Sequence, residues 1–208
     1  VVTGHHLDDL SEDVLMRLVR GSGWPGLGGM KAVDPARHLL RPLLGTSRAE
    51  LEAFLRSLGV DWIEDASNRS DAFRRNRMRN HVIPLLKAEN PSFSRSTRTL
   101  WELAREDEHY WDEVLAPVFA QLREENGSLL LPRAAFVSLP RAARLRVYAG
   151  LFHRFGRGQA QSETLFRLDE AAVSSRSRKV FQFPGGIRIT TDGEGVRMES
   201  GGGGKNPF

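Results

Sequence analysis

The sequence predicts an α/β chain in three parts. An α/β segment covers residues 1–88, a helical region covers 89–174 and a small β unit covers 175–200, with a flexible tail over 201–208. Three observations predict this. Residues 1–3 read as the end of a buried strand that runs straight into a charged loop and a helix, as in the middle of an α/β domain. From residue 47 to residue 173 apolar side chains recur at helical spacing. Beyond residue 179 the pattern becomes alternating, with glycine turns between short runs.

Taken in order, Val1-Val2-Thr3 close the first strand and residues 4–8 form a loop. A helix follows to about Arg20, with Val14, Leu15, Leu18 and Val19 inward; Gly21 stops it, and a glycine-rich loop runs to Gly29. Residues 38–44 are a short extended segment broken by Pro42. Ser47 and Glu50 form a capping box, and Leu51, Phe54, Leu55 and Leu58 make an apolar stripe that Gly59 terminates. Residues 60–63 are extended and 65–68 turn. A further helix carries Phe73, Met78, Val82, Leu85 and Leu86, with Pro84 expected to break or kink it.

Asn90-Pro91 starts a long helix to residue 125. Phe93, Leu100, Ala104, Trp111, Leu115, Val118 and Leu122 repeat there at close to 3.5-residue spacing, with a bend at Pro117. Residues 128–131 read as a strand. Residues 140–155 form a helix with Leu145, Tyr148, Leu151, Phe152 and Phe155 inward and arginines outward, and 162–173 form another. Residues 180–183, 187–190 and 196–198 are strands joined by Pro-Gly-Gly and Asp-Gly turns.

Composition narrows the chemistry. There is no cysteine, so disulfides, zinc–thiolate sites and cysteine nucleophiles are excluded, and a reducing, cytoplasmic setting fits. No apolar run reaches the ~20 residues of a membrane span. Net charge is +4, and arginine far outnumbers lysine, which occurs only at 31, 87, 179 and 205. Arginine pairs with phosphate through a planar fork. Its clustering at 74–79, at 95 and 98, at 141–146 and at 175–179 points to nucleic acid.

Residues 1–30 concentrate the candidate chemistry. Asp9 and Glu12 sit three apart at a helix start, either as N-cap and capping-box partner or as a carboxylate pair for an ammonium group or a metal. His5-His6 before Asp8-Asp9 also has the residue types of a divalent metal cluster. Residues 21–26 match G-x-G-x-x-G, but they follow a helix and contain Pro25, so they are not the dinucleotide fingerprint. Their backbone N–H groups could still meet a phosphate. In the run at 74–79, Arg75 and Arg79 share one helix face, while Arg74, Arg77 and His81 form another beside Asp65 and Asn68.

Four blocks, GHHLDDLSEDVLMRLVRGSGWPGLGGM, LLRPLLGTSRAELEAFL, WIEDASN and RRNRMRNHVIPLL, together resemble tRNA(Ile)-lysidine synthetase over residues 1–87, and FPGGIRI is similar to that family's later small domain. The resemblance implies the second half of a Rossmann-like PP-loop ATP pyrophosphatase domain over 1–88 and a substrate-binding helical domain over 89–174. It implies a ligase that joins lysine to C2 of the wobble cytidine of tRNA(Ile) with a CAU anticodon. The cytidine is first adenylated by ATP, carried with Mg2+, and the lysine amine then displaces AMP. Asp9 and Glu12 would hold the lysine. His5, His6, Arg20 and Gly21 would lie beside the nucleotide, with Asp65, Asn68, Arg75, Asn76, Arg77 and Arg79 near the reacting groups and tRNA. No resident metal and no membrane partner is implied, and a homodimer stays open. The readings from another class are a non-catalytic tRNA-binding module and a metal-dependent hydrolase built on HHLDD.

Two departures bear on activity. The family's Gln-Ala-Glu-Thr is Leu10-Ser11-Glu12-Asp13 here, which keeps the glutamate alone. No S-G-G-x-D-S pyrophosphate loop occurs in the 208 residues. The expectation is an N-terminally incomplete chain with an exposed apolar edge at its start, unable alone to bind ATP productively.

Overall fold

The computed structural model describes residues 1–63, 70–155, 162–174 and 176–200. The chain divides into two compact units, Val1–Glu108 and His109–Phe208. That boundary lies inside the long helix rather than at residue 88, because the first half of the helix packs with the N-terminal elements.

In the first unit, helix α1 spans Leu7–Val19. Its start is earlier than the sequence suggests: His6 is the N-cap, and the His6 amide donates to Asp9 Oδ2 at 3.0 Å. The buried face shifts with the start. Leu7, Leu10 and Val14 face the core, while Leu18 and Val19 are exposed. Leu44 completes this core, with Met30, Ala32, Leu100 and Trp101 packed against it. Strands β1 (Val33–Asp34) and β2 (Leu39–Leu40) form a small antiparallel hairpin. Val2 makes a parallel bridge to Leu40, so residues 1–3 are in strand-like pairing, yet Val1 and Val2 are exposed rather than buried.

Helix α2 spans Arg48–Ser57 and carries the expected capping box: Glu50 N donates to Ser47 Oγ and Ser47 N to Glu50 Oε2. Its apolar stripe is only partly covered: Leu51 and Leu55 are half-buried, while Phe54 and Leu58 are exposed. Helix α3 (Arg74–Arg77) continues through a π turn at Met78–Val82 into α4 (Ile83–Glu89). Pro84 therefore does not break the run. It sits in the first turn of α4, where its missing N–H costs least, just after the widened turn.

Helix α5 spans Phe93–Phe119, passes Pro117 and ends before Leu122. In the first unit its early part is the platform for the glycine-rich loop. A Cβ on Gly28 would lie 2.2 Å from Ala104 Cβ, Trp24 Nε1 donates to Asp107, and Trp101 Nε1 donates to Met30 O at 2.9 Å. The amides of Gly21, Ser22, Leu27, Gly28 and Gly29 donate to nearby carbonyls. The loop is a packing element whose amides are largely engaged.

The second unit holds β3 (Arg123–Glu125), β4 (Ser128–Pro132), α6 (Arg133–Phe136), α7 (Arg141–Phe155), α8 (Ser162–Ser174), β5 (Lys179–Phe183), β6 (Ile187–Thr191) and β7 (Gly195–Ser200). The strands form one antiparallel sheet in the order β3-β4-β7-β6-β5. The C-terminal strands are thus not a separate unit. They complete a sheet begun at residue 123 and share a core with α7 and α8 through Phe136, Tyr148, Leu151, Leu168, Phe183, Ile189 and Met198.

The arginines of α7 do not all point to solvent. Arg144 forks onto the buried carboxylate of Asp169 at 2.6 and 2.9 Å, and Tyr148 Oη donates to the same group at 3.1 Å. Arg146 lies over the Trp111 ring. Burial, reinforced by the Asp169 charge, pushes the Tyr148 hydroxyl far above its ordinary value, so it stays a donor.

Gly195 is the tightest backbone approach in this sheet. A Cβ there would meet Leu131 O at 2.1 Å and Arg133 N at 2.9 Å, both backbone atoms with no freedom to yield. Gly195→Ala is expected to cost about 1–3 kcal/mol by forcing β4 and β7 apart. A thermal melt that leaves Tm unchanged would contradict this packing.

Candidate active site

The first turns of α1 meet α3 and the π turn after it in a dense charge cluster. Arg75 Nε donates to Glu12 Oε2 at 2.6 Å and its Nη2 to Asp9 Oδ1 at 2.8 Å. Arg79 Nε donates to Glu12 Oε1 at 2.5 Å, and its Nη2 reaches Glu12 Oε2 at 3.1 Å and Asp9 Oδ1 at 3.3 Å. Glu12 is 1% exposed and Asp9 8%. Two carboxylates so buried are stable only when paired and hydrogen-bonded, and two forked guanidiniums supply both conditions. The bond to Glu12, ahead of the opposing effect of burial, raises the Arg79 guanidinium further above its already high value.

This geometry changes the capping reading. Asp9 does accept the N-cap amide, but as the third residue of the helix and not as the cap. Glu12 has no capping role; both its oxygens face arginines.

A pocket of about 270 Å³ opens beside the cluster, lined by His6, Asp8, Glu12, Arg48, Arg79, Ile83, Pro84 and Lys87. Asp8 Oδ2 accepts the Arg48 amide at 2.9 Å, and Asp8 Oδ1 accepts from Lys87 Nζ at 3.0 Å. Burial raises the Asp8 pKa, but the Arg48 amide and Lys87 outweigh it and hold the carboxyl below its ordinary range. Asp8 is therefore ionised at neutral pH.

Of the sequence-predicted residues, Asp9, Glu12, Arg75, Arg79 and His6 come together. The others do not. Thr3 Oγ1 and His5 Nδ1 lie 2.8 Å apart, before the helix. Arg20 is exposed and returns to Met16 O, and it and Gly21 lie at the far end of α1, about 16 Å along the axis from Asp9. Asn76 Nδ2 donates to Ser70 O, and Arg77 Nη1 donates to Asp71 O and Ala72 O, so both hold the preceding loop. Asp65 and Asn68 lie outside the described residues. Among the described residues no group of three or more histidines and acids is arranged to hold a metal ion.

Comparison with known proteins bears on this same segment. Residues 1–86 match the family described as a PP-loop domain. A tRNA(Ile)-lysidine synthase of Nitratidesulfovibrio vulgaris is 48% identical over 221 aligned residues, covering 97% of this chain and 63% of the relative. Over nearly its whole length the chain is similar to tRNA(Ile)-lysidine synthases. Proteins of the same name from Geobacillus kaustophilus and Azoarcus sp. are 34% and 37% identical, each over 91% of this chain and over 42% and 40% of their own lengths. The chain thus spans less than two thirds of the length of these relatives.

Sequence reasoning missed Asp8, Arg48, Ile83, Pro84 and Lys87 as pocket residues. A signal existed for part of them. Arg75, Arg79, Ile83 and Lys87 are spaced by four. In a regular α-helix such a row drifts by about 40° per step, which hides the last member. The π turn at Met78–Val82 absorbs an extra residue and lets the row run on toward the pocket.

Proposed function

We propose that this chain works in a tRNA-modifying, ATP-dependent ligase that joins lysine to C2 of the wobble cytidine of tRNA(Ile) with a CAU anticodon. ATP, with Mg2+, adenylates the cytidine oxygen and releases pyrophosphate. The lysine amine then forms the C–N bond at C2, and AMP leaves with the oxygen. A cytoplasmic protein with tRNA(Ile), lysine and ATP as partners follows from this reading.

The observation that carries it is the four-residue cluster of Asp9, Glu12, Arg75 and Arg79 at the edge of a pocket lined by both acids and bases. Such a reaction needs both signs of charge within a few ångströms. The amine arrives as an ammonium group and suits carboxylates, and it must lose a proton before attack. The adenylated intermediate is rich in anionic oxygen and suits guanidiniums held in place beforehand. Asp9 and Glu12 fix Arg75 and Arg79 in orientation, so these dipoles need not reorganise when charge develops.

The test joins residues 1–200 to a family segment carrying the S-G-G-x-D-S loop and follows labelled lysine into a tRNA(Ile) transcript. Lysine incorporation is expected, and Arg75→Met or Asp9→Asn should lower it by at least about 100-fold, the scale of losing one electrostatic donor. A folded fusion that binds tRNA but transfers no lysine would favour the non-catalytic RNA-binding reading instead.

A further inference from the structure

Arg75 and Arg79 grip the same acids from unequal supports. Arg79 lies in the π turn at Met78–Val82, which runs into α4 and its buried Ile83. Arg75 lies in α3, a helix of four residues whose N-cap, Phe73, offers no side-chain cap. A first turn without a cap frays readily. Here the usual arrangement is reversed, and side chains of the helical run reach back to hold the loop ahead of it. Asn76 Nδ2 donates to Ser70 O at 2.6 Å, and Arg77 Nη1 donates to Asp71 O at 2.8 Å and to Ala72 O at 3.1 Å. Asn80 Nδ2 donates to Asp71 Oδ1 at 3.2 Å, and His81 Nε2 lies 2.7 Å from Asp71 Oδ2. Asp71 is thus engaged at its carbonyl and at both carboxylate oxygens. The contact with His81, then that with Asn80, holds its carboxyl below the ordinary carboxylate range, so it is an ionised acceptor at neutral pH. The Asp71 and His81 side chains are 51% and 61% exposed, and one such pair alone holds little. Three side chains converging on one residue act as a network.

We propose that Asp71 is a positioning residue for Arg75. Its carboxylate ties the loop before α3 to Asn80 and His81 in the turn after it, so the loop braces the short helix from both ends. With the brace in place the Arg75 fork stays on Glu12 Oε2 and Asp9 Oδ1. Without it the first turn of α3 frays and Arg75 loses its direction. Arg79 keeps Glu12 Oε1, because the π turn that carries it is supported by α4. The acid pair is therefore served by one arginine that depends on the brace and one that does not. That Arg75 faces phosphate during a reaction rests on the functional reading above; the bracing does not.

The Nε–H protons of the two arginines, bonded to Glu12 at 2.6 and 2.5 Å, report on each separately. Their exchange with water is measured by nuclear magnetic resonance on the labelled 208-residue chain, with variants checked for folding by circular dichroism. Asp71→Ala is expected to speed exchange at Arg75 at least about fivefold, since the local opening loses its bracing hydrogen bonds, and to leave Arg79 within about twofold. The double variant Asn80→Ala/His81→Ala, which keeps Asp71, should shift Arg75 in the same direction and again spare Arg79. Unchanged exchange at Arg75 in either variant overturns the proposal. Equal acceleration at both arginines overturns it too, because it marks a general loosening of the unit rather than a brace on α3. The measurement needs no tRNA, ATP or lysine, so either failure leaves the functional reading standing.

Discussion

Glu12→Ala is expected to lower the unfolding free energy by about 3 kcal/mol, the lower end of the range for removing one partner of a buried ion pair. Glu12 is 1% exposed and holds Arg75 and Arg79 on separate oxygens. Its removal leaves two guanidiniums facing a cavity, with Asp9 alone to neutralise them. The cost is not larger because the two arginine side chains remain 37% and 28% exposed, so water screens part of the unpaired charge. The same substitution at a residue that only caps a helix costs about 1 kcal/mol. Urea unfolding separates the two cases, and a double-mutant cycle with Arg75→Met adds a second criterion. Direct pairing predicts a coupling energy above about 1 kcal/mol, since contacting residues are non-additive. A loss near 1 kcal/mol with additive effects would return Glu12 to a local helix role.

Much of this site was legible because charge density and helical spacing are local properties. Asp9 and Glu12 at three, and Arg75 and Arg79 at four, each mark one helix face whatever the fold does. What the sequence hid were the places where a local rule is overridden. His6 is not a preferred N-cap, so the sequence pattern points to a later start for α1 and to an inward face of Leu15, Leu18 and Val19, whereas Leu7 and Leu10 are the buried residues. The apolar repeat of α5 continues to Leu122, yet residues 123–125 leave the helix because they find a partner strand in Ser128–Pro132. The arginines of α7 looked solvated, yet Arg144 is turned inward by Asp169, 25 residues away. Long-range pairing decides each of these cases, and no window of sequence contains it.

The same sorting of arginines into paired and surface groups governs RNA binding. RNA binding through phosphate contacts should fall steeply with salt, by about 10³ or more between 50 and 200 mM for a protein neutralising about six phosphates. The slope should come from cations that the fold leaves at the surface. In the first unit these are Arg74 and Arg95; in the second they are Arg176, Arg178 and Lys179. Arg75 and Arg79 are instead neutralised by Asp9 and Glu12, and Arg144 by Asp169. Counting basic residues along the chain would weight all of them equally. Here, neutralising Arg74 or Arg95 to Gln should reduce the slope of log affinity against log salt by close to one each, since each contact releases about one counterion. Arg144→Gln should leave the slope intact and lower stability instead, because it strands the carboxylate of Asp169 in the core. Filter binding of a tRNA(Ile) transcript across a salt series measures both slopes. A slope that is flat in the wild type, or that falls as much for Arg144→Gln as for Arg74→Gln, would mean that the surface arginines do not carry the phosphate contacts.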